Sequence, residues 1–99
     1  MQTDALRVLG LVQKAGYLAS GEFQCEDAIK RGRAYLVIIA EDASQNTKKK
    51  FSDKCAYYDV RCVVMSSKEE LGGRIGKSER SCVAVLDSGF ADSILEKIS

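Results

Sequence analysis

The 99-residue chain contains no histidine, no proline and no tryptophan. Without histidine it lacks the usual general base near neutral pH and any imidazole ligand for a metal. Its four cysteines, Cys25, Cys55, Cys62 and Cys82, are scattered and include no C-x-x-C pair. Zinc needs clustered thiolates or imidazoles, so no metal is expected. The cysteines lie among apolar neighbours or on helical segments and read as small buried or half-buried hydrophobes. That usage, with no secretory leader, fits a reducing cytoplasm. Cys25, near a helix start, is the one candidate for a reactive thiol, but Glu26 and Asp27 beside it oppose thiolate formation. No apolar run approaches the roughly 20 residues that span a bilayer, so no membrane partner is expected.

Charge of one sign is also lacking. Fifteen Lys and Arg offset fourteen Asp and Glu, a net charge of +1. That argues against coating nucleic acid with the whole surface and leaves room for a local basic patch. Cations group at Lys30, Arg31 and Arg33; at Lys48, Lys49, Lys50 and Lys54; and at Lys68, Arg74, Lys77 and Arg80. The plainer reading of each group is a solvated helix face; their positions beside turns favour a binding role. No segment combines low hydrophobicity with excess charge, so residues 1–99 read as one domain with a single modest core, stable without staples.

Hydrophobic spacing then orders the chain. Asp4 to Lys14 carries a helical stripe, with Thr3 as N-cap and Gly16 as stop. Tyr17 to Ala19 is a short strand, and Glu22 to Arg31 a helix with Phe23, Ala28 and Ile29 inward. Leu36 to Ala40 (LVIIA) is a branched apolar run, expected as a strand covered on both faces. Glu41 and Asp42 are expected to cap a helix over Ser44 to Tyr58, where the dipole favours carboxylates. Arg61 to Met65 and Ser81 to Leu86 are further strands. Ser67 and Glu70 have capping-box spacing ahead of a short helix ending near Gly76. A last helix covers Phe90 to Ile98. Helices alternating with apolar strands imply a three-layer α/β/α sandwich around a small, largely parallel or mixed four-stranded sheet.

Gly72 to Ser78 (GGRIGKS) resembles a phosphate loop, but three residues separate its key glycines instead of four, and a helix leads into a strand, the reverse of a P-loop. It reads as a Gly-rich turn whose amides, with Lys77 and Arg80, would suit a phosphate. No acid–base pair or cofactor motif is present, so neither an enzyme nor a cofactor is expected.

Several segments together carry a family likeness: Lys30-Arg31-Gly32, LVIIAEDAS (Leu36 to Ser44), NTKKK…DKC (Asn46 to Cys55), SKEELG (Ser67 to Gly72), the turn Ile75 to Lys77, and VAVLDSGFA (Val83 to Ala91). In these the chain resembles the L-seven-Ae / L-thirty-e ribosomal protein family, most closely its bacterial YlxQ-type branch, over nearly its whole length. The resemblance implies binding to kink-turn RNA, a sharply bent duplex with tandem sheared G·A pairs, with ribosomal RNA as one candidate. Carried over residue by residue, the site is Gly21, Glu22, Phe23, Gln24, Lys30, Arg31, Lys68, Lys77, Ser78, Glu79 and Arg80. Gly21 opens the binding helix. Gln24 stands where the family has a glutamate. Arg31 matches a backbone-contacting arginine and Lys68 a lysine in the S-K-x-E-L-G turn, and Lys77 to Arg80 replace an apolar clamp that would close over an extruded nucleotide. Phe23 replaces a motif asparagine and Asp27 a lysine, which removes a polar contact and sets a carboxylate against phosphate. Those two departures motivate the alternative, a protein-interaction module on the same fold with reduced or lost RNA specificity, anchored on an exposed Phe23.

Overall fold

A computed structural model describes residues 2–98. Helices and strands alternate as α1 (Gln2–Lys14), β1 (Leu18–Ser20), α2 (Glu22–Lys30), β2 (Leu36–Ile39), α3 (Gln45–Tyr57), β3 (Arg61–Val64), α4 (Lys68–Arg74), β4 (Cys82–Val85) and α5 (Ser88–Ile98). The strands form one sheet in the order β1-β4-β2-β3. Every residue of β2 and β4 is buried, as their unbroken apolar runs require of central strands. Helices α1, α4 and α5 pack together as one layer, and α2 and α3 as the other. Phe51, Leu9, Ile29, Leu36, Ile38 and Ile94 are among the largest fully buried side chains, each contributing about 1.5–3 kcal/mol through burial.

The sheet is mixed rather than largely parallel. Strand β2 pairs in parallel with β3, while β4 runs antiparallel to both β1 and β2. Alternating helices and strands dictate covered faces but do not dictate the direction of a strand inserted between two others. The insertion has a useful result. Ser20 pairs with Val83, and Ile39 with Cys82, so the exits of β1 and β2 lie beside the entry to β4.

Local signals fix the helix ends. The Ser44 hydroxyl accepts from the Thr47 N–H at 3.1 Å and starts α3. The Ser67–Glu70 capping box is complete, with bonds of 3.0 and 2.8 Å. Asp42 does not cap α3 as its sequence position suggested. Its Oδ1 accepts from the Lys68 N–H of α4 at 2.8 Å. The parallel β2–β3 pairing sets the two strand exits side by side, with the Glu41 N–H donating to the Ser66 carbonyl at 2.7 Å, and so aims Asp42 at the neighbouring helix. Thr3 is likewise no N-cap, because α1 already includes Gln2.

Candidate nucleic-acid interface

The antiparallel β1–β4 pair builds the candidate site by joining distant parts of the chain. As the chain leaves β1, the Gly21 N–H donates to the Cys82 carbonyl at 3.0 Å. Gly21 then takes φ 91° and ψ 160°, a left-handed setting that side-chain-bearing residues rarely adopt. It turns the chain abruptly into α2 and supplies no side-chain cap. The first-turn N–H groups, Glu22 to Gln24, therefore lack helical partners and lie where an anion or a base edge would meet them. A groove of about 510 Å³ opens there, lined by Ser20, Gly21, Glu22, Phe23, Gln24, Glu79, Arg80 and Ser81. Six of the residues expected from sequence thus meet in one place, and Ser20 and Ser81 join them. The two serines carried no sequence signal, because their role depends on strand pairing.

The far wall is a braced loop. Gly72 in α4 lies so close to the loop backbone that a Cβ there would overlap the Ser78 carbonyl oxygen. Arg80 Nη1 donates to the Ser78 carbonyl, the Ser78 hydroxyl and the Glu79 carbonyl at 3.0–3.1 Å, and Nε reaches the Ser20 hydroxyl at 3.4 Å. The Arg80 N–H donates to the Lys68 carbonyl at 3.0 Å, which ties Lys68 to the same wall. Lys77 and Ser78 complete the loop. The turn's amides are not free for phosphate as its glycine content suggested. Those of Ile75 and Lys77 donate to the Gly72 carbonyl, and that of Gly76 to the Gly73 carbonyl, because a helix C-terminus must satisfy its last carbonyls.

Charges on the α2 side are paired internally. Glu22 Oε2 accepts from the Thr47 and Ser81 hydroxyls at 3.2 and 3.3 Å, and Oε1 lies 3.7 Å from Lys50. Lys50 and Lys54 each lie 3.5 Å from Glu26. Partial burial pushes the Glu26 carboxyl up, but Lys50, Lys54 and Lys30 outweigh it and hold it below the usual carboxylate range. Lys49 pairs with Asp53 at 2.9 Å, so much of the lysine run acts inside the fold. Arg31 is held by Asp27, with Nε donating to Oδ1 at 2.9 Å. Lys30 and Arg31 stand at the other end of α2, eight or nine residues and roughly 12 Å from its start. They extend the face but do not line the groove.

Phe23 points outward, with 83% of its surface exposed, against the inward placement expected from sequence. Cys25, Ala28 and Ile29 define the buried stripe of α2. A residue two positions before Cys25 lies nearly half a turn round the helix from it. The thiols are buried or half-buried, as expected. Cys25 Sγ donates to the Ala19 carbonyl at 3.8 Å, and the neighbouring Cys82 thiol and then burial push its thiol well up. Half-buried Cys62 is lowered instead, because it accepts a hydrogen bond from Cys55, an effect that outweighs its desolvation. Among the described residues no group of three or more His, Cys, Asp or Glu is placed to hold a metal ion, and no helix is long and apolar enough to cross a membrane.

A mixed four-stranded α/β sandwich with a turn and a braced loop converging on one uncapped helix start defines a small class of binding domain. The chain belongs to the Ribosomal protein L7Ae/L30e/S12e/Gadd45 family, whose sequence profile matches residues 3–95. It is 46% identical over 88 residues to the RNA-binding protein YlxQ of Bacillus subtilis (strain 168), covering 89% of this chain and 88% of that protein. It is 40% identical over 94 residues to the RNA-binding protein YlxQ of Enterococcus faecium, covering 95% and 90%. A solved structure of a protein with unknown function from Bacillus halodurans C superposes with a TM-score of 0.91 at 39% identity, covering 95% of each chain.

Proposed function

We propose that the protein binds structured RNA of the kink-turn type through the groove between the start of α2 and the Lys77–Arg80 loop, with ribosomal RNA as one candidate. The observation that carries this reading is the meeting of the Gly21 turn, with its three uncapped amides, and the Arg80-braced loop in a single groove. Both segments are ones that the family likeness assigns to RNA. The amides of Glu22 to Gln24 and the Gln24 side chain meet base edges in the shallow groove. Lys77 and Lys68 attract phosphate beside the loop, and Lys30 and Arg31 do so further along α2.

Exposed Phe23 favours a second reading, a protein-interaction module in which this ring anchors a partner. One titration separates the two: fluorescent kink-turn RNA and a straight duplex control, each at low and moderate salt. The RNA reading expects kink-selective binding that weakens with salt. Arg31→Ala should lower the affinity and reduce the salt slope by about one unit. Equal, weak binding to both RNAs would reject kink-turn recognition and leave the interaction module.

A further inference from the structure

The two residues that depart from the family pattern, Phe23 and Asp27, line a second groove of about 310 Å³ on the other side of Phe23. Leu18, Ala28 and Leu86 line it together with the charged side chains of Asp27 and Arg33. Phe23 and Gln24 belong to both grooves, so this groove continues the proposed RNA surface. Its size is at the lower end for small-molecule pockets. Arg31 orients Asp27 through Oδ1 while the Asp27 side chain stays 46% exposed.

These features select the occupant. The exposed Phe23 ring, beside Leu18, Ala28 and Leu86, offers a stacking surface to a flat ring that also carries polar edges. The Asp27 carboxylate opposes the pull of Arg33 on phosphate and, half-exposed, can accept from a further neutral donor. A nucleobase supplies both, stacking through its face and donating from an amino group. Adenine, cytosine and guanine carry that group; uracil lacks it and offers only its ring N3–H, so the expected discrimination is a preference. An apolar peptide side chain would meet Leu18, Ala28 and Leu86 but would add no donor for the exposed part of the Asp27 carboxylate.

We infer that the groove between β1 and α2 takes one unpaired, amino-bearing base of the bound RNA, stacked on Phe23 and donating to Asp27. The inference rests on the RNA reading of the adjoining groove.

The test uses the full chain and a kink-turn RNA series in which each unpaired nucleotide is replaced in turn by an abasic site and by uridine. At one position the abasic RNA should bind about five- to a hundredfold more weakly. Phe23→Ala should cause the same loss with the parent RNA and no further loss with the abasic one, because the pair acts as a unit. Phe23→Trp should retain binding, and Asp27→Asn should narrow the preference against uridine. Phe23 is exposed, so these variants should melt with the parent. If Phe23→Ala binds every RNA as the parent does, base capture is wrong while the RNA reading stands, and Phe23 belongs to a protein contact. If no RNA binds to the folded protein, both fall.

Discussion

Two adjacent glycines in α4 should respond in opposite ways to the same substitution. A Cβ on Gly72 would overlap the Ser78 carbonyl oxygen and would sit 2.6 Å from the Ser78 carbonyl carbon and 2.8 Å from the Glu79 Cα. All three atoms are backbone, so no side chain can swing aside, and either α4 or the loop must move. Overpacking against backbone atoms falls in the upper part of the usual range, about 2–3 kcal/mol. Alanine returns about 1 kcal/mol of helix propensity. The net loss for Gly72→Ala is then about 1–2 kcal/mol, a fall of roughly 5–15 °C in melting temperature for a domain of this size. A Cβ on Gly73 meets nothing within 4 Å, so Gly73→Ala should gain up to about 1 kcal/mol. Thermal unfolding followed by circular dichroism reads both. RNA titration should show weakened binding for Gly72→Ala, since the displaced loop is the groove's far wall, and unchanged binding for Gly73→Ala. A Gly72→Ala protein that melts at or above the parent temperature would refute the close-packed contact between α4 and the loop.

Asp42→Ala should destabilise the protein by about 1 kcal/mol, the usual scale for losing a carboxylate at a helix start, and should speed amide exchange at Lys68; unchanged exchange there would remove Asp42 from the α4 terminus. Glu26 should add a pH-dependent term. Its carboxyl is held below the ordinary value of 4.5, so folding favours the ionised form. That stabilisation is complete above the ordinary value and is lost as pH falls through the depressed one. Glu26→Gln should cost at most about 1 kcal/mol near neutrality and nothing at strongly acid pH. Urea midpoints measured down the acid range should therefore converge, and parallel curves would contradict the role given to Lys50 and Lys54.

Features set by neighbours along the chain were legible in the sequence. The apolar runs Leu36–Ile39 and Cys82–Val85 gave away the central strands, and Ser67 with Glu70 gave away its capping box. Features set by strand direction were not. Asp42 sits two residues before Ser44, yet it serves a helix 26 residues further on, because the β2–β3 pairing decides what stands nearby. Ser20 and Ser81 are ordinary strand-end residues until β4 runs antiparallel to β1. Phe23 was misplaced because three apolar residues in a short helix admit more than one stripe, and only the packing of Cys25 against the sheet selects the true one. The family likeness supplied a list of site residues; the pairing shows which of them share a groove.

The position of β4 also governs when the groove can exist. Strand β1 pairs only with β4, and the contacts that close the groove, Arg80 to Ser20 and Ser81 to Glu22, span 60 and 59 residues. During synthesis β2 and β3 can pair early, but β1 and the Gly21 turn must wait, unpaired, for residues 82–85 to emerge. At about 5–20 residues per second, that delay lasts seconds. A growing chain therefore carries the α2 half of the surface with no opposing wall until β4 is made, and the groove closes late.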